Sequence, residues 1–174
     1  MKSYTLCSLM VLHEKEDSYR LFKEMIKNGF TPDVFTYSSL MNAFIKAGDL
    51  NFAIVIFNKM KSNGIKQNIF TCSSLINGYC KQGDLNNAMK LFEQLKLDGL
   101  KPDTVTYSSL IDGYCKQGDL NNAIEIFNQM KLNGIKPDIV TYKCIINGYR
   151  KRGDMDNAIK FINQMKLDGY GEEV

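Results

Sequence analysis

The strongest constraint on the fold is a repeat of 35 residues. The segment "YCKQGDLNNA" occurs at residues 79–88 and again, unchanged, at residues 114–123. Glycines keep the same interval along the chain, at Gly48, Gly83, Gly118 and Gly153. A fixed period of about 20–50 residues indicates a stack of similar supersecondary units, each resting on its neighbours.

Four full copies are predicted, at residues 34–68, 69–103, 104–138 and 139–173. Residues 1–33 are interpreted as a degenerate or partial first copy. Their "LFKEMIKNGFTPD" matches the end of a repeat, whereas the residues before Leu21 do not align. We expect the copies to form one continuous solenoid within a longer array.

Each copy reads as two helices. In residues 104–138 the first helix has apolar residues at helical spacing, namely Tyr107, Leu110, Ile111 and Tyr114. Thr106 is predicted to cap this helix, Gly118 to end it and Asp119 to cap the next one. The second helix carries an apolar stripe made of Leu120, Ala123, Ile124, Phe127 and Met130.

One hairpin cannot bury both of its stripes, whereas stacked hairpins can. The predicted fold is therefore all-α: an α-α superhelix, a right-handed α-solenoid of helical hairpins with a concave inner surface. No run of about 18 apolar residues is present, so no membrane span is expected.

The sequence lacks the residue patterns that are typical of catalytic sites. The single histidine, His13, has no nucleophile pattern beside it, and the five cysteines lack the spacing of metal ligands. We predict no catalytic residue, no metal and no cofactor. The first residues include Glu14, Glu16 and Asp17, which is unlike a transit peptide, and no targeting peptide is predicted.

The segment "VTYSSLIDGYCKQGDLNNAIEIFNQMKLNGIKPD" at residues 105–138, with its copies, resembles the pentatricopeptide repeat family in its P-type form. The resemblance is close over residues 34–173 and loose over residues 1–33. It implies sequence-specific binding of single-stranded RNA, about one base per repeat, without enzymatic activity. It also implies organellar RNA processing, stability or translation, in mitochondria or plastids, with other RNA-processing proteins as further partners.

One face of each first helix repeats an apolar residue near its start and a lysine at its end. The apolar residues, predicted to stack on bases, are Phe35, Phe70, Val105 and Val140. The lysines, predicted to bind phosphates, are Lys46, Lys81, Lys116 and Lys151. Apolar platforms beside cations suit a single strand of nucleic acid. Alternatively, the lysines only complement the helix dipole, and Phe35 and Phe70 only cover a neighbouring repeat.

The family resemblance implies that two polar residues per repeat read one base. The pairs are Ser38 with Asn68, Ser73 with Asp103, Ser108 with Asp138, and Lys143 with Glu173. Ionised Asp only accepts hydrogen bonds, whereas Asn also donates, so Asp favours guanine and Asn adenine when serine is the partner. The expected site is 5′-AGG-3′, read from the N- to the C-terminal repeat, and the last pair is assigned no base.

Two alternatives remain open. The serines and the aspartates of "KPD" could serve only as capping or turn residues. The whole stack could instead be a scaffold that binds a protein or peptide on its concave face. Its repeating cations and small polar residues favour a repeating ligand such as RNA. In the degenerate copy, Asp33 could pair with Ser3 or Cys7.

Overall fold

The computed structural model describes residues 15–171, which form nine α-helices and no strand. The helices are α1 (Lys15–Lys27), α2 (Val34–Lys46), α3 (Leu50–Ser62), α4 (Ile69–Gln82), α5 (Leu85–Leu97), α6 (Thr104–Gln117), α7 (Leu120–Leu132), α8 (Ile139–Arg152) and α9 (Met155–Leu167). The predicted all-α class is confirmed. None of these helices, which have at most 14 residues, is long and apolar enough to cross a bilayer.

The described residues divide into two compact units, with the boundary inside α4, between Gly78 and Tyr79. In the first unit α2 packs against both α1 and α3. In the second unit α6 packs against α5, α7 and α8, and α8 also packs against α7 and α9. Each second-unit hairpin therefore rests on its neighbour, as expected for stacked repeats.

Aspartates begin the first helix of three hairpins. Asp33, Asp103 and Asp138 each accept a hydrogen bond from the backbone N–H three residues later, at 2.8–2.9 Å. The prediction that Thr106 caps α6 is wrong, because the cap is Asp103 and Thr106 lies inside the first turn. The carboxylate prevails because one oxygen accepts both the N–H and the O–H of Thr106.

The second helix of each hairpin also begins at an aspartate, as predicted for Asp119. Its side chain accepts a hydrogen bond from the backbone N–H of Asn122 at 3.1 Å. Gly118 ends α6 in the left-handed conformation, with φ of 78°, and this prediction is confirmed.

The core follows the predicted stripes with three exceptions. Tyr114 and Ile124 are half-buried, whereas Ile126, which was not assigned to the stripe, is buried. Tyr114 borders an open groove beside Met89 on α5, which leaves part of its ring exposed. Ile126 is buried because α7 lies against both α6 and α8, so its apolar face is wider than one stripe.

A tyrosine ties the two helices of the hairpin together. The hydroxyl of Tyr107 on α6 accepts a hydrogen bond from Asn133 Nδ2, just after α7, at 2.7 Å. Tyr37 and Asn63 repeat this bond at 2.7 Å in the first unit. In the last hairpin the Tyr142 hydroxyl donates to Asp168 instead.

Candidate nucleic-acid interface

Four apolar side chains are exposed at the same place in their repeats, the second residue of the first helix. Phe35 is 64% exposed, and Phe70, Val105 and Val140 are 54–57% exposed. The alternative in which Phe35 and Phe70 cover a neighbouring repeat accounts poorly for rings that are more than half exposed. Exposed apolar groups at a fixed period are available for contact with a repeating ligand.

The four predicted phosphate-binding lysines are exposed in the last turn of their helices, at Lys46, Lys81, Lys116 and Lys151. This position also complements the negative pole of each helix dipole. Within residues 15–171, Lys46, Lys81 and Lys151 form no ion pair, whereas Lys116 does.

A groove of about 280 Å³ lies between α6 and α8 in the second unit. Its charged lining consists of Asp112, Lys116, Lys143 and Lys151, with Val140 as an apolar wall. The structure thus brings together one predicted stacking residue, two predicted phosphate ligands and Lys143, which was predicted to face a base. Three cations against one carboxylate give the groove a net positive charge.

Asp112 is held by both of its carboxylate oxygens. Oδ2 lies 2.5 Å from Lys116 Nζ, and Oδ1 accepts a hydrogen bond from Cys144 Sγ at 3.6 Å. The hydrogen bond to Asp112 raises the pKa of Lys116, although burial acts in the opposite direction. Lys116 therefore stays charged at neutral pH, with its charge directed at Asp112.

The cysteines near this groove are protonated thiols at neutral pH. Burial raises the pKa of Cys80, Cys115 and Cys144 to about 12 in each case. A protonated thiol is a poor nucleophile and a poor metal ligand. Among residues 15–171 no group of three or more His, Cys, Asp and Glu side chains could hold a metal ion.

One threonine joins the predicted base-reading pair Ser108 and Asp138. The Thr141 hydroxyl donates to Asp138 Oδ1 at 2.6 Å and lies 2.9 Å from Ser108 Oγ. Ser108 Oγ also lies 2.7 Å from the Thr104 carbonyl oxygen, which is a second acceptor for its single proton. The two residues of the pair, 30 positions apart in sequence, are therefore linked through a single side chain.

The cap aspartates use one oxygen for the helix. In both Asp103 and Asp138, Oδ1 accepts the N–H and the O–H of a threonine. The Oδ2 atoms form no hydrogen bond within the described part of the chain. Asn68 caps α4 in the same manner, accepting from the backbone N–H of Thr71 at 2.9 Å.

Ser38 and Ser73 are less accessible than their partners Asn68 and Asp103, whereas Ser108 and Asp138 are both half-buried. Ser38 and Ser73 are 4% and 5% exposed. Ser38 donates to the Val34 carbonyl on its own helix. Lys143 is exposed, while its partner Glu173 lies outside the described residues, as do His13, Ser3 and Cys7.

Sequence reasoning overlooked two features of this region. The ion pair of Asp112 with Lys116 has the i, i+4 spacing that favours such pairs on a helix, so the signal was present. The sequence predicts only one of the two contacts of Thr141. Its spacing from Asp138 predicts a capping contact, but its approach to Ser108 depends on how two hairpins pack.

The sequence pattern of the PPR repeat family matches the chain in five overlapping windows. They cover residues 6–46, 32–81, 67–116, 102–151 and 137–170. No curated protein sequence matched this chain.

Solved structures give the same fold. The pentatricopeptide repeat protein PPR10, in complex with an 18-nt psaJ RNA element, is similar with a TM-score of 0.85 and 26% identity. The match covers 96% of this chain and 25% of that chain, so the present chain spans about a quarter of PPR10. PPR10 from maize, in a separate structure, matches with 28% identity over 96% of this chain and 24% of that chain, at a TM-score of 0.75.

A more distant structure is the PPR domain of Arabidopsis thaliana protein-only RNase P 1 in complex with tRNA. It matches 88% of this chain and 81% of that chain, with 20% identity and a TM-score of 0.74. At that identity the likeness concerns the fold alone. The predicted α-solenoid class of helical hairpins is confirmed by these matches together.

Proposed function

The chain belongs to the PPR repeat family, and from that premise we propose that it binds single-stranded RNA in a sequence-specific manner. The observation that carries the proposal is the pairing, in four repeats, of an exposed apolar residue near the start of the first helix with an exposed lysine at its end. Apolar side chains that stack on bases and cations that meet phosphates are the two requirements of single-strand binding.

In this proposal the aromatic and valine platforms supply affinity without choosing the base. Stacking on an aromatic ring such as Phe35 or Phe70 contributes roughly 1–3 kcal/mol per base and tolerates any sequence, since every base has a π face. The cationic partners of the strand would be Lys46, Lys81 and Lys151, because Lys116 is engaged by Asp112.

The base would be chosen by Asn68, Asp103 and Asp138. The free Oδ2 of Asp103 and Asp138 supports this role, because it can accept a hydrogen bond without loosening the helix cap. A carboxylate acceptor suits the N1–H of guanine, whereas the amide of Asn68 can serve adenine. The proposed site is 5′-AGG-3′, read by successive repeats.

The serines would act by their small size. Ser38 and Ser73 are buried, and a side chain of that size leaves room for a purine beside the cap residue. The hydroxyl of Ser108 would in addition steady Asp138 through Thr141. Lys143 has no such size or contact, so we assign no base to the last repeat.

The experiment is selection of bound sequences from a random single-stranded RNA pool, followed by the same selection with Asp103→Asn. Enrichment of AGG by the wild type, with the middle base shifted toward adenine in the variant, is expected. Only one hydrogen-bonding edge changes, so the neighbouring bases should keep their preference. An equal loss for all sequences would mean that Asp103 serves only as a helix cap.

The second candidate, a scaffold for a protein or peptide, is less well supported, because the groove presents three cations against one carboxylate. A role in organellar RNA processing, stability or translation rests on the family resemblance. Fluorescence imaging of the tagged protein in its native cell tests that location, and signal outside mitochondria and plastids would overturn it.

A further inference from the structure

The repeat at residues 104–138 differs from the others at one position of its first helix. Four residues before the lysine it carries Asp112, where the other repeats carry an amide, at Asn42, Asn77 and Asn147. Within the described residues, the lysine four positions later forms an ion pair only in this repeat. The difference is therefore one of charge at a shared position.

We propose that Asp112 competes with RNA phosphate for Lys116 and so lowers the affinity of the second unit for its strand. The proposal rests on the proposed function and assigns Asp112 a tuning role within it. Asp112 is not a residue of the base-reading pairs, so it should change affinity without changing the preferred sequence.

The contacts of Asp112 support competition with phosphate for Lys116 rather than a transient ion pair on the surface. The carboxylate is held on one side by Lys116 at 2.5 Å and on the other by the Cys144 thiol at 3.6 Å. Its side chain is 37% exposed, against 59% for Lys116. The carboxylate is thus the less exposed partner and has two contacts in the groove wall, while the ammonium group is the more exposed one.

A phosphate that enters the groove meets this carboxylate in two ways. The phosphate must displace Asp112 from its ion pair with Lys116. It then lies close to the carboxylate of Asp112 and is repelled by its negative charge. Lys151, which lines the same groove, remains available to the phosphate. The carboxylate therefore weakens one phosphate contact and leaves the others intact.

The test compares Asp112→Asn with the opposite change, Asn147→Asp. Both variants exchange residues that the repeats already use at this position, so both are expected to fold, and circular dichroism checks this. The second variant places a carboxylate four residues before Lys151, which reproduces the i, i+4 spacing of the pair. The chain thus supplies its own matched control.

Asp112→Asn should bind a 5′-AGG-3′-containing RNA roughly 2- to 5-fold more tightly, the effect expected when an exposed ion pair is removed. The slope of log affinity against log salt should steepen by roughly 0.7, one additional phosphate contact. Asn147→Asp should change both quantities in the opposite direction. Neither variant should alter the sequences selected from a random pool.

A double-mutant cycle isolates the competition. In a Lys116→Ala background the gain from Asp112→Asn should largely disappear, because no cation is left to release. A gain of the same size in that background would overturn the proposal, as would unchanged or weaker RNA binding by Asp112→Asn alone.

Inorganic polyphosphate separates failure of this proposal from failure of RNA recognition. It carries phosphates without bases, so Asp112→Asn should bind it more tightly than the wild type whatever the RNA result. Tighter polyphosphate binding without RNA binding would overturn the proposed function and leave the competition standing. If neither the wild type nor the Asp112→Asn variant binds RNA or polyphosphate, both proposals are wrong.

Discussion

Leu120 occupies the space that a side chain on Gly148 would fill. A Cβ on Gly148 would lie 2.5 Å from Leu120 Cδ2 and 3.3 Å from Cys115 Sγ. Leu85 and Gly113 repeat this arrangement at 2.7 Å in the same unit. The glycine inside the first helix of one hairpin thus receives the leucine that opens the second helix of the preceding hairpin. This interlock sets how closely consecutive hairpins approach.

Gly148→Ala should destabilise the fold by up to roughly 2 kcal/mol. The overpacking cost of about 1–3 kcal/mol exceeds the gain of about 1 kcal/mol in helix propensity. Urea unfolding followed by circular dichroism measures the difference. In a Leu120→Ala background the clash is removed, so the same substitution should become stabilising. A stabilised Gly148→Ala single variant would contradict the interlock.

Phe127→Ala should cost roughly 3–5 kcal/mol of unfolding free energy, as a large-to-small change in a core. Phe127 is 4% exposed, and its ring centre lies 5.5 Å from those of both Tyr142 and Phe161. Chemical denaturation checks the value. Leu132→Ala is the control, because Leu132 is 86% exposed and its loss should change stability by less than about 0.5 kcal/mol.

The bond between Tyr142 and Asp168 should make the last hairpin sensitive to acid. The hydrogen bond from Tyr142 lowers the pKa of Asp168, so the folded state favours the ionised carboxylate. Its contribution is present above the ordinary aspartate pKa of about 4 and is lost as pH falls through the lowered value. Thermal unfolding between pH 7 and pH 2 should show a smaller acid loss for Asp168→Asn than for the wild type.

The same bond acts in the opposite direction at alkaline pH. Burial first, and then the hydrogen bond to Asp168, raise the pKa of Tyr142. Stability from this group is complete below the ordinary tyrosine pKa of about 10 and declines as pH rises toward the higher folded value. Tyr142→Phe should reduce the alkaline loss of stability, while Tyr79, Tyr114 and Tyr149, whose pKa values burial also raises, keep their share. If both proteins lose stability equally between pH 9 and pH 11, Tyr142 is not the responsible group.

The salt dependence of RNA binding should reflect the unpaired lysines. Three contacts, from Lys46, Lys81 and Lys151, give a log–log slope of roughly −2 at about 0.7 per phosphate. Lys151→Ala should reduce its magnitude by roughly 0.7 and weaken all sequences alike, whereas Lys116→Ala should change it less. Fluorescence anisotropy at several salt concentrations measures the slopes. Binding that persists with a slope near zero would mean that the lysines only complement helix dipoles.

Most of the local structure could be predicted from the sequence of a single repeat. Helical spacing of apolar residues and aspartate caps are short-range signals, because each acts within one or two turns of the same helix, and the 35-residue period shows that these signals recur in each hairpin. They predicted the hairpins, Asp119 as a cap and Gly118 as a stop. They misplaced the cap of α6 because Thr106 and Asp103 are both good capping residues, and only the folded turn shows which one accepts.

The remaining features depend on contacts between hairpins, which no single repeat encodes. The burial of Ile126, the fit of Leu120 against Gly148 and the approach of Thr141 to Ser108 all require two hairpins packed side by side. The same holds for Asp112. Its partner Lys116 is visible in sequence, but the Cys144 thiol that holds its other oxygen comes from the next hairpin. The spacing of residues within a helix determined which side chains share a face. Packing between hairpins decided which atoms of those side chains are left free to bind a ligand.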